Sequence, residues 1–351
     1  MGWPRTDLMD LLGVRHPIIQ APMAGASTPA MAAAAAKAGG LGSLGLALKS
    51  PEDAAADMAA ARGLTNRALN VNFFCHQPSA DDPDRFTAIR DRLTPYYAEF
   101  DLGEPAAEPK TTAPFNADML EVVLAAAPSV ASFHFGLPPS DLLAPLKDAG
   151  VIILSSATSP AEARELEVLG TDAIIAQGWE AGGHRGVFDP STGPGDIGTF
   201  ALVPQIVDAV SVPVIAAGGI ADARGIAAAF MLGASGVQIG TAFLNTPESM
   251  VADPHKKALL AERPTGITSA FSGCPARGVV NRYMVEMEDA TLPDFPLMNA
   301  MTGPLRAASA KEGAGEYMSL WAGQAHAMNR ETGTTDLIET LAEETLKLLN
   351  G

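Results

Sequence analysis

The stretch Val212-Pro213-Val214-Ile215-Ala216-Ala217-Gly218-Gly219 and, one helix later, Ser235-Gly236-Val237-Gln238-Ile239-Gly240-Thr241-Ala242-Phe243 decide the fold. Each is a short, nearly continuous apolar run that reaches a glycine. A strand covered on both faces reads this way, whereas a strand with one wet face alternates. Between them Ala223–Leu232 has helical composition. Strand, helix, strand in that order predicts a parallel pair joined by a crossover.

Working outward, the same unit recurs. His16–Met23, Leu41–Leu46, Ala68–Phe74, Val130–Gly136, Val151–Ala157 and Ala173–Gly178 are further apolar runs, which makes eight in all. Helical stretches separate most of them, including Thr28–Ala38, Pro51–Arg62, Ala117–Ala126, Ser140–Ala149, Ser159–Leu169 and Ala201–Ala209. Eight alternating units predict a closed α/β barrel of the TIM (β/α)8 type, with an open doubly wound sheet as the alternative. Two segments exceed the repeat. Cys75–Pro114 carries a Pro/Asp-rich loop and a helix over Asp84–Phe100; Thr246–Gly351 is too long for one closing helix. The expected organisation is one domain, residues 1–351, with a barrel core over about 14–245. A C-terminal extension of helices and loops over about 246–351 would lie beside the barrel mouth.

Of the 351 residues, 40 are acidic and 23 basic, a formal net charge of −17. Such a surface repels phosphate backbones, which argues against nucleic-acid binding. It does not bar a small anion held by backbone amides. The most apolar stretch, Ala30–Leu48, contains Lys37 and glycines and reads as helix then strand rather than a membrane span. Met1–Leu12 carries Asp7 and Asp10 without a signal-peptide apolar core, so the expected location is cytoplasmic. Two cysteines, Cys75 and Cys274, allow no disulfide framework; both read as structural thiols, and Cys75-His76 lacks further ligands for a metal.

In such barrels the chemistry sits at the C-terminal ends of the strands. Polar and glycine residues concentrate there: Met23, Asn72, His134, Gln177, Gly182-Gly183-His184, Gly218-Gly219 and Gln238-Ile239-Gly240-Thr241. Gly-Gly after the seventh run and Gly240-Thr241 after the eighth suit a phosphate cradle, where glycine lets backbone N–H groups approach an anion. Gly182 and Gly183 let the chain run close to a planar ligand, with His184 above it as a group able to take or give a proton. Asn72 either reads the edge of a flavin or base or caps a loop; His134 either serves the mouth or packs in the core. Met23 lies against a ring system or is plain core. Trp179 covers the ligand or packs its loop, with packing favoured, and Arg185 has no catalytic role assigned.

These residues resemble the nitronate monooxygenase family, formerly called 2-nitropropane dioxygenases, of the bacterial and fungal class. The likeness runs through Pro17–Gly25, Asn70–Phe74, Ser132–Gly136, Ala181–Gly186, Ala216–Ile220, Gln238–Thr241, Ala276–Arg282 and Ser319–Gln324, nearly the whole chain. The resemblance implies a TIM-type barrel with an added C-terminal part, FMN as cofactor, and oxidation of alkyl nitronates by O2 to carbonyl compounds and nitrite. It implies that Met23, Asn72, Gln177, Gly182, Gly219 and Gln238–Thr241 line the flavin, with Gly219, Gly240 and Thr241 nearest its phosphate. His184 would be the catalytic histidine and His134 a substrate-side residue; Tyr317 and Lys311 are candidates for closing the site. Related flavin barrels, the enoyl-ACP and quinone reductases that use NAD(P)H, share Ala-Gly-Gly-His and Gly-Gly-Ile, so a reductase is the alternative. A barrel that binds FMN or another phosphate ligand without turnover is the second alternative. The inosine-monophosphate-dehydrogenase type needs a cysteine after the sixth strand, where this chain has His184. Extended loops around a barrel mouth admit a homo-oligomer.

Overall fold

The computed structural model describes residues 2–78, 82–189, 192–193 and 195–351. In chain order the strands are β1 (Ile18–Gln20), β2 (Gly42–Gly45), β3 (Leu69–Phe74), β4 (Val130–His134), β5 (Ile152–Ala157), β6 (Ala173–Gln177), β7 (Gly183–His184), β8 (Val214–Ala217), β9 (Gly236–Ile239), β10 (Thr265–Thr268) and β11 (Ala276–Val279). The helices are α1 (Asp7–Leu12), α2 (Pro29–Lys37), α3 (Pro51–Leu64), α4 (Pro83–Ala98), α5 (Ala117–Ala126), α6 (Ser140–Asp148), α7 (Pro160–Val168), α8 (Thr199–Val207), α9 (Ala223–Met231), α10 (Asp253–Leu260), α11 (Arg282–Glu286), α12 (Leu297–Lys311) and α13 (Thr334–Asn350).

Eight strands form one parallel sheet in the order β1-β9-β8-β6-β5-β4-β3-β2. The sheet closes through a parallel bridge from Ile19 to Leu41: Gln20 N–H donates to the Leu41 carbonyl at 2.9 Å and Leu41 N–H to the Ile18 carbonyl at 3.0 Å. The predicted barrel is therefore the observed one, and each of the eight apolar runs supplies one of its strands. Helix entry follows the sequence closely. Thr28, Ser50 and Ser159 each accept a backbone N–H at a helix start with proline next in the chain, and Ser159 with Glu162 forms a reciprocal capping box.

Leu8 and Leu12 of α1 pack with Ile19, Leu41, Val130 and Ile215, which closes the N-terminal end of the barrel. Leu337, Ile338 and Leu341 of α13 join Ala35 of α2 and Ile226 of α9 in a single apolar cluster. The last helix of the chain thus seats on the barrel shell, and the segment between β9 and α13 is an excursion over the mouth. α4, from the long insertion after β3, packs Ile89, Leu93, Tyr96 and Tyr97 against Phe271, Tyr283, Met298 and Leu305 of that excursion. The two segments that break the repeat build one cap together. β10 and β11 add a small antiparallel sheet whose third strand is β7, from the loop after β6. One sequence expectation shortens: the run to Phe243 stops as strand at Ile239, and Thr241–Asn245 turns into a 3-10 helix. Among the described residues no helix is long and apolar enough to cross a membrane.

The barrel wall has no slack where α2 crosses β2. A Cβ on Gly42 would overlap the Ala32 carbonyl, whereas one on Gly63 of α3 meets nothing within 4 Å. Gly42→Ala is expected to cost about 3 kcal/mol by overpacking, and Gly63→Ala to add up to about 1 kcal/mol; chemical denaturation of both variants measures the contrast.

Candidate active site

The C-terminal ends of the barrel strands surround a cavity of about 460 Å³, within the range of small-ligand sites. At one end lie the two glycine loops. Gly218 and Gly219 take φ of 109° and 70°, the left-handed region that glycine tolerates, and a Cβ on Gly218 would come within 3.0 Å of the Ala181 nitrogen. Among the described residues the N–H groups of Gly219, Ile220 and Gly240 donate to no acceptor. The helix that follows is already capped: Asp222 accepts from Arg224 N and Gly225 N at 3.0 and 3.2 Å. Anion capacity here therefore resides in the loop amides rather than in the start of α9. Thr241 Oγ1 accepts from Gly323 N at 3.0 Å, which leaves its O–H to donate.

At the other end stands His184. Its strand, β7, pairs with β11 so that His184 lies opposite Ala276 and Gly183 opposite Arg277. The His184 carbonyl accepts twice, from Gln177 Nε2 at 2.8 Å and from His134 Nε2 at 3.1 Å. Gln177 Oε1 accepts from Gly186 N at 2.8 Å, so one amide side chain holds both ends of the His184 turn. Burial pushes His134 down to about 4. A neutral ring donating from Nε2 must accept at Nδ1, so Ser156 Oγ donates to it at 2.6 Å.

The His184 ring is walled by Phe74, Phe135, Phe295 and Trp321, with ring centroids 5.8, 6.0, 5.7 and 5.7 Å away. Its Nε2 is buried with no partner. Burial first, then the nearness of His134, Arg306 and His76, pushes it down to about 3. The imidazole is neutral throughout the physiological range.

Met23, Asn72, His134, Gln177, Gly182, Gly183, His184, Gly218, Gly219, Gln238, Gly240 and Thr241 all reach this one cavity. Asn72 Nδ2 donates to the Ser132 carbonyl and Oγ at 3.1 and 3.0 Å, so the amide is oriented from β4. Ile239 does not line it; its side chain packs with Ile18 and Phe243 on the helix side, because successive strand residues face opposite ways and Gln238 faces in. Tyr317 and Lys311 do not reach the cavity either. Tyr317 lies in the cap and donates to Glu99 at 2.5 Å, and Lys311 is an exposed end of α12. Arg185 is a brace: it donates to the carbonyls of Gly178, Gln177 and Gly195 at 2.6, 3.0 and 2.6 Å. Trp179 packs under Arg185 and Arg277, whose guanidinium carbons lie 5.6 and 5.1 Å from its ring. Phe74, Trp321 and Arg306 line the cavity and Phe295 packs on the His184 ring, four residues that the sequence did not single out. Trp321 lay inside a quoted segment; Phe295 and Arg306 had no local signal.

The fold and its mouth are those of a barrel enzyme. A family model described as nitronate monooxygenase matches residues 5–344. A nitronate monooxygenase of Pseudomonas aeruginosa is 45% identical over 341 residues, 95% of this chain and 97% of that protein. Among solved structures, a nitroalkane oxidase from Streptomyces ansochromogenes superposes with a TM-score of 0.91 at 40% identity, covering 97% of this chain and 98% of that one. FabK from Thermotoga maritima follows at 0.76 and 31%, covering 99% and 98%. The chain belongs to the nitronate monooxygenase family, a family of flavin-dependent oxidoreductases.

Three histidines of the mouth, His134, His184 and His255, are held neutral by burial, to about 4, about 3 and about 4, from an ordinary value of 6.5. Below that ordinary value the unfolded chain binds protons that the folded chain refuses. Stability therefore falls with pH from about 6 to 4, by about 1.4 kcal/mol per pH unit for each such group. Denaturant melts at about pH 7 and pH 5 are expected to differ by several kcal/mol, with a shallower dependence in His255→Gln. A midpoint that ignores pH would contradict the burial.

Proposed function

We propose that this protein is an FMN-dependent nitronate monooxygenase that oxidises alkyl nitronates with O2 to carbonyl compounds and nitrite. The observation that carries the reading is the polarity of one cavity: unpaired loop amides at Gly219, Ile220 and Gly240 at one end, a neutral His184 with its Nε2 buried and unpartnered at the other. The residues fit FMN on three counts. The amides and the Thr241 hydroxyl suit a phosphate in a protein whose net charge otherwise repels one. Gly183 carries no Cβ into the open space beside it, and Gly182, Gly218 and Gly219 pack so closely on Ala322, Ala181 and Glu180 that bare backbone faces a planar ring. Gln238 Oε1 is buried without a partner, and Asn72 presents Oδ1, both suited to a polar ring edge.

Bound FMN supplies the electron transfer between substrate and oxygen. The protein's part is positioning, drying and proton handling. The rings of Phe74, Phe135, Phe295 and Trp321 pack around the His184 ring, whose Nε2 is buried. Gln177 and His134 fix its backbone, so the ring keeps one placement without a charged partner. Neutral His184 accepts a proton from the carbon of a nitroalkane; toward a nitronate, already deprotonated, it only hydrogen-bonds.

This asymmetry is measurable. His184→Asn is expected to retain flavin and to lose at least about 100-fold in kcat on a neutral nitroalkane, but no more than about tenfold on the nitronate, the worth of one hydrogen bond. Equal, unchanged turnover on both would remove His184 from the chemistry. Burial holds His184 unprotonated across about pH 5–8, so kcat/KM for the nitroalkane is expected to show no break near the usual histidine value. The FabK likeness keeps a nicotinamide-dependent reductase as the competing reading. Anaerobic nitronate is expected to bleach the flavin absorbance while NADH leaves it standing; the reverse pattern would make the protein a reductase.

A further inference from the structure

Arg306, on α12, lines the same cavity from the cap side. Its Nη2 donates to the carbonyl and Oδ1 of Asn299 at 2.8 and 2.9 Å. Its Nε is buried and meets no acceptor. Among the described residues no carboxylate lies within ion-pair distance of it, and Tyr283 and Tyr97 beside it are phenols that burial pushes up and so keeps uncharged at neutral pH. Burial lowers it to about 10, which leaves it cationic at neutral pH. A buried charge without a counter-ion is a net cost to folding. In a chain of net charge −17, with carboxylates to spare, such a vacancy beside a ligand cavity needs a reason.

We infer that Arg306 is the specificity-determining cation of the site, and that it pairs with the anionic oxygens of the substrate and so selects nitronates over neutral nitroalkanes. The assignment rests on the proposed nitronate chemistry. It adds a division of labour: His184, neutral and apolar-walled, handles the proton, and Arg306 holds the charge. A nitronate is a planar two-oxygen anion, the shape a guanidinium fork matches. A local cation also offsets the repulsion that an acidic surface exerts on an anionic substrate.

The test uses flavin-loaded enzyme and two probes of one shape, isobutyrate and uncharged isobutyramide, by titration calorimetry. Wild type is expected to bind the carboxylate at least about tenfold more tightly than the amide. Arg306→Met is expected to abolish that preference, and Arg306→Lys to keep part of it. In turnover, Arg306→Met is expected to raise KM for a nitronate by about tenfold or more while KM for the matching nitroalkane stays within about twofold. Its thermal midpoint is expected to equal or exceed that of wild type, since an unpaired buried charge is gone. A purely structural arginine would instead lower the midpoint and weaken both probes alike, which overturns the inference, as does an unchanged preference. Arg306→Gln repeats the binding test if the methionine variant misfolds. If wild type oxidises no nitronate yet shows an Arg306-dependent carboxylate preference, the proposed reaction fails and the anion site stands.

Discussion

Two residues of antiparallel strand, Gly183 and His184 on β11, are the contact on which the site depends. Without that pairing the loop after β6 would be a surface excursion, and the cap would have no edge on the barrel mouth. Gly182 allows it, because a Cβ there would come within 2.5 Å of the Ala322 and Gly323 backbone. Gly183, at φ 74°, turns the chain into the pairing. The His184 carbonyl is then taken by Gln177 from β6 and His134 from β4, so barrel and cap both hold one peptide. The His184 side chain inherits its placement from backbone that three separate parts of the chain constrain.

The electrostatics of the mouth follow from dryness. Aromatic walls and the cap remove water, and a neutral imidazole is the form that tolerates this. An arginine cannot escape in the same way, because it does not deprotonate at neutral pH. So the same desolvation leaves one group uncharged and another cationic, a few side chains apart in one cavity. Stability is spent on the second, and buried histidines make the fold sensitive to acid. Sites of this kind depart from local rules because their chemistry requires it.

Much of this was legible in the sequence because barrel strands announce themselves. Covered parallel strands are apolar on both faces, their ends carry glycine, and the helices start at Ser/Thr-Pro signals, so eight repeats and the position of the mouth could be read off. Twelve of the thirteen named site residues converge on one cavity. Ile239 failed by strand parity: it follows Gln238, and neighbours cannot share a face. Asp222 before α9 already signalled that the helix start was capped. What was not legible is contact across sequence distance. A two-residue strand has no periodicity, which hid β7 and its partners. His134 as support for the His184 carbonyl, the pairing of α4 with the cap, and the approach of Arg306 all depend on packing that no local pattern encodes. Tyr317 and Lys311 are candidates only through the family resemblance, and residue type does not say which face of a cap looks inward.

The site requires that His134 and His184 are uncharged and that His134 donates from Nε2 to the His184 carbonyl. Nitrogen-15 NMR of histidine-labelled protein reads tautomer and charge directly. The structure predicts a neutral Nε2–H ring at His134 and a neutral ring at His184, neither titrating between about pH 8 and pH 5. Resonances of either residue that move through a midpoint near 6.5, or a His134 protonated at Nδ1 alone, would contradict it.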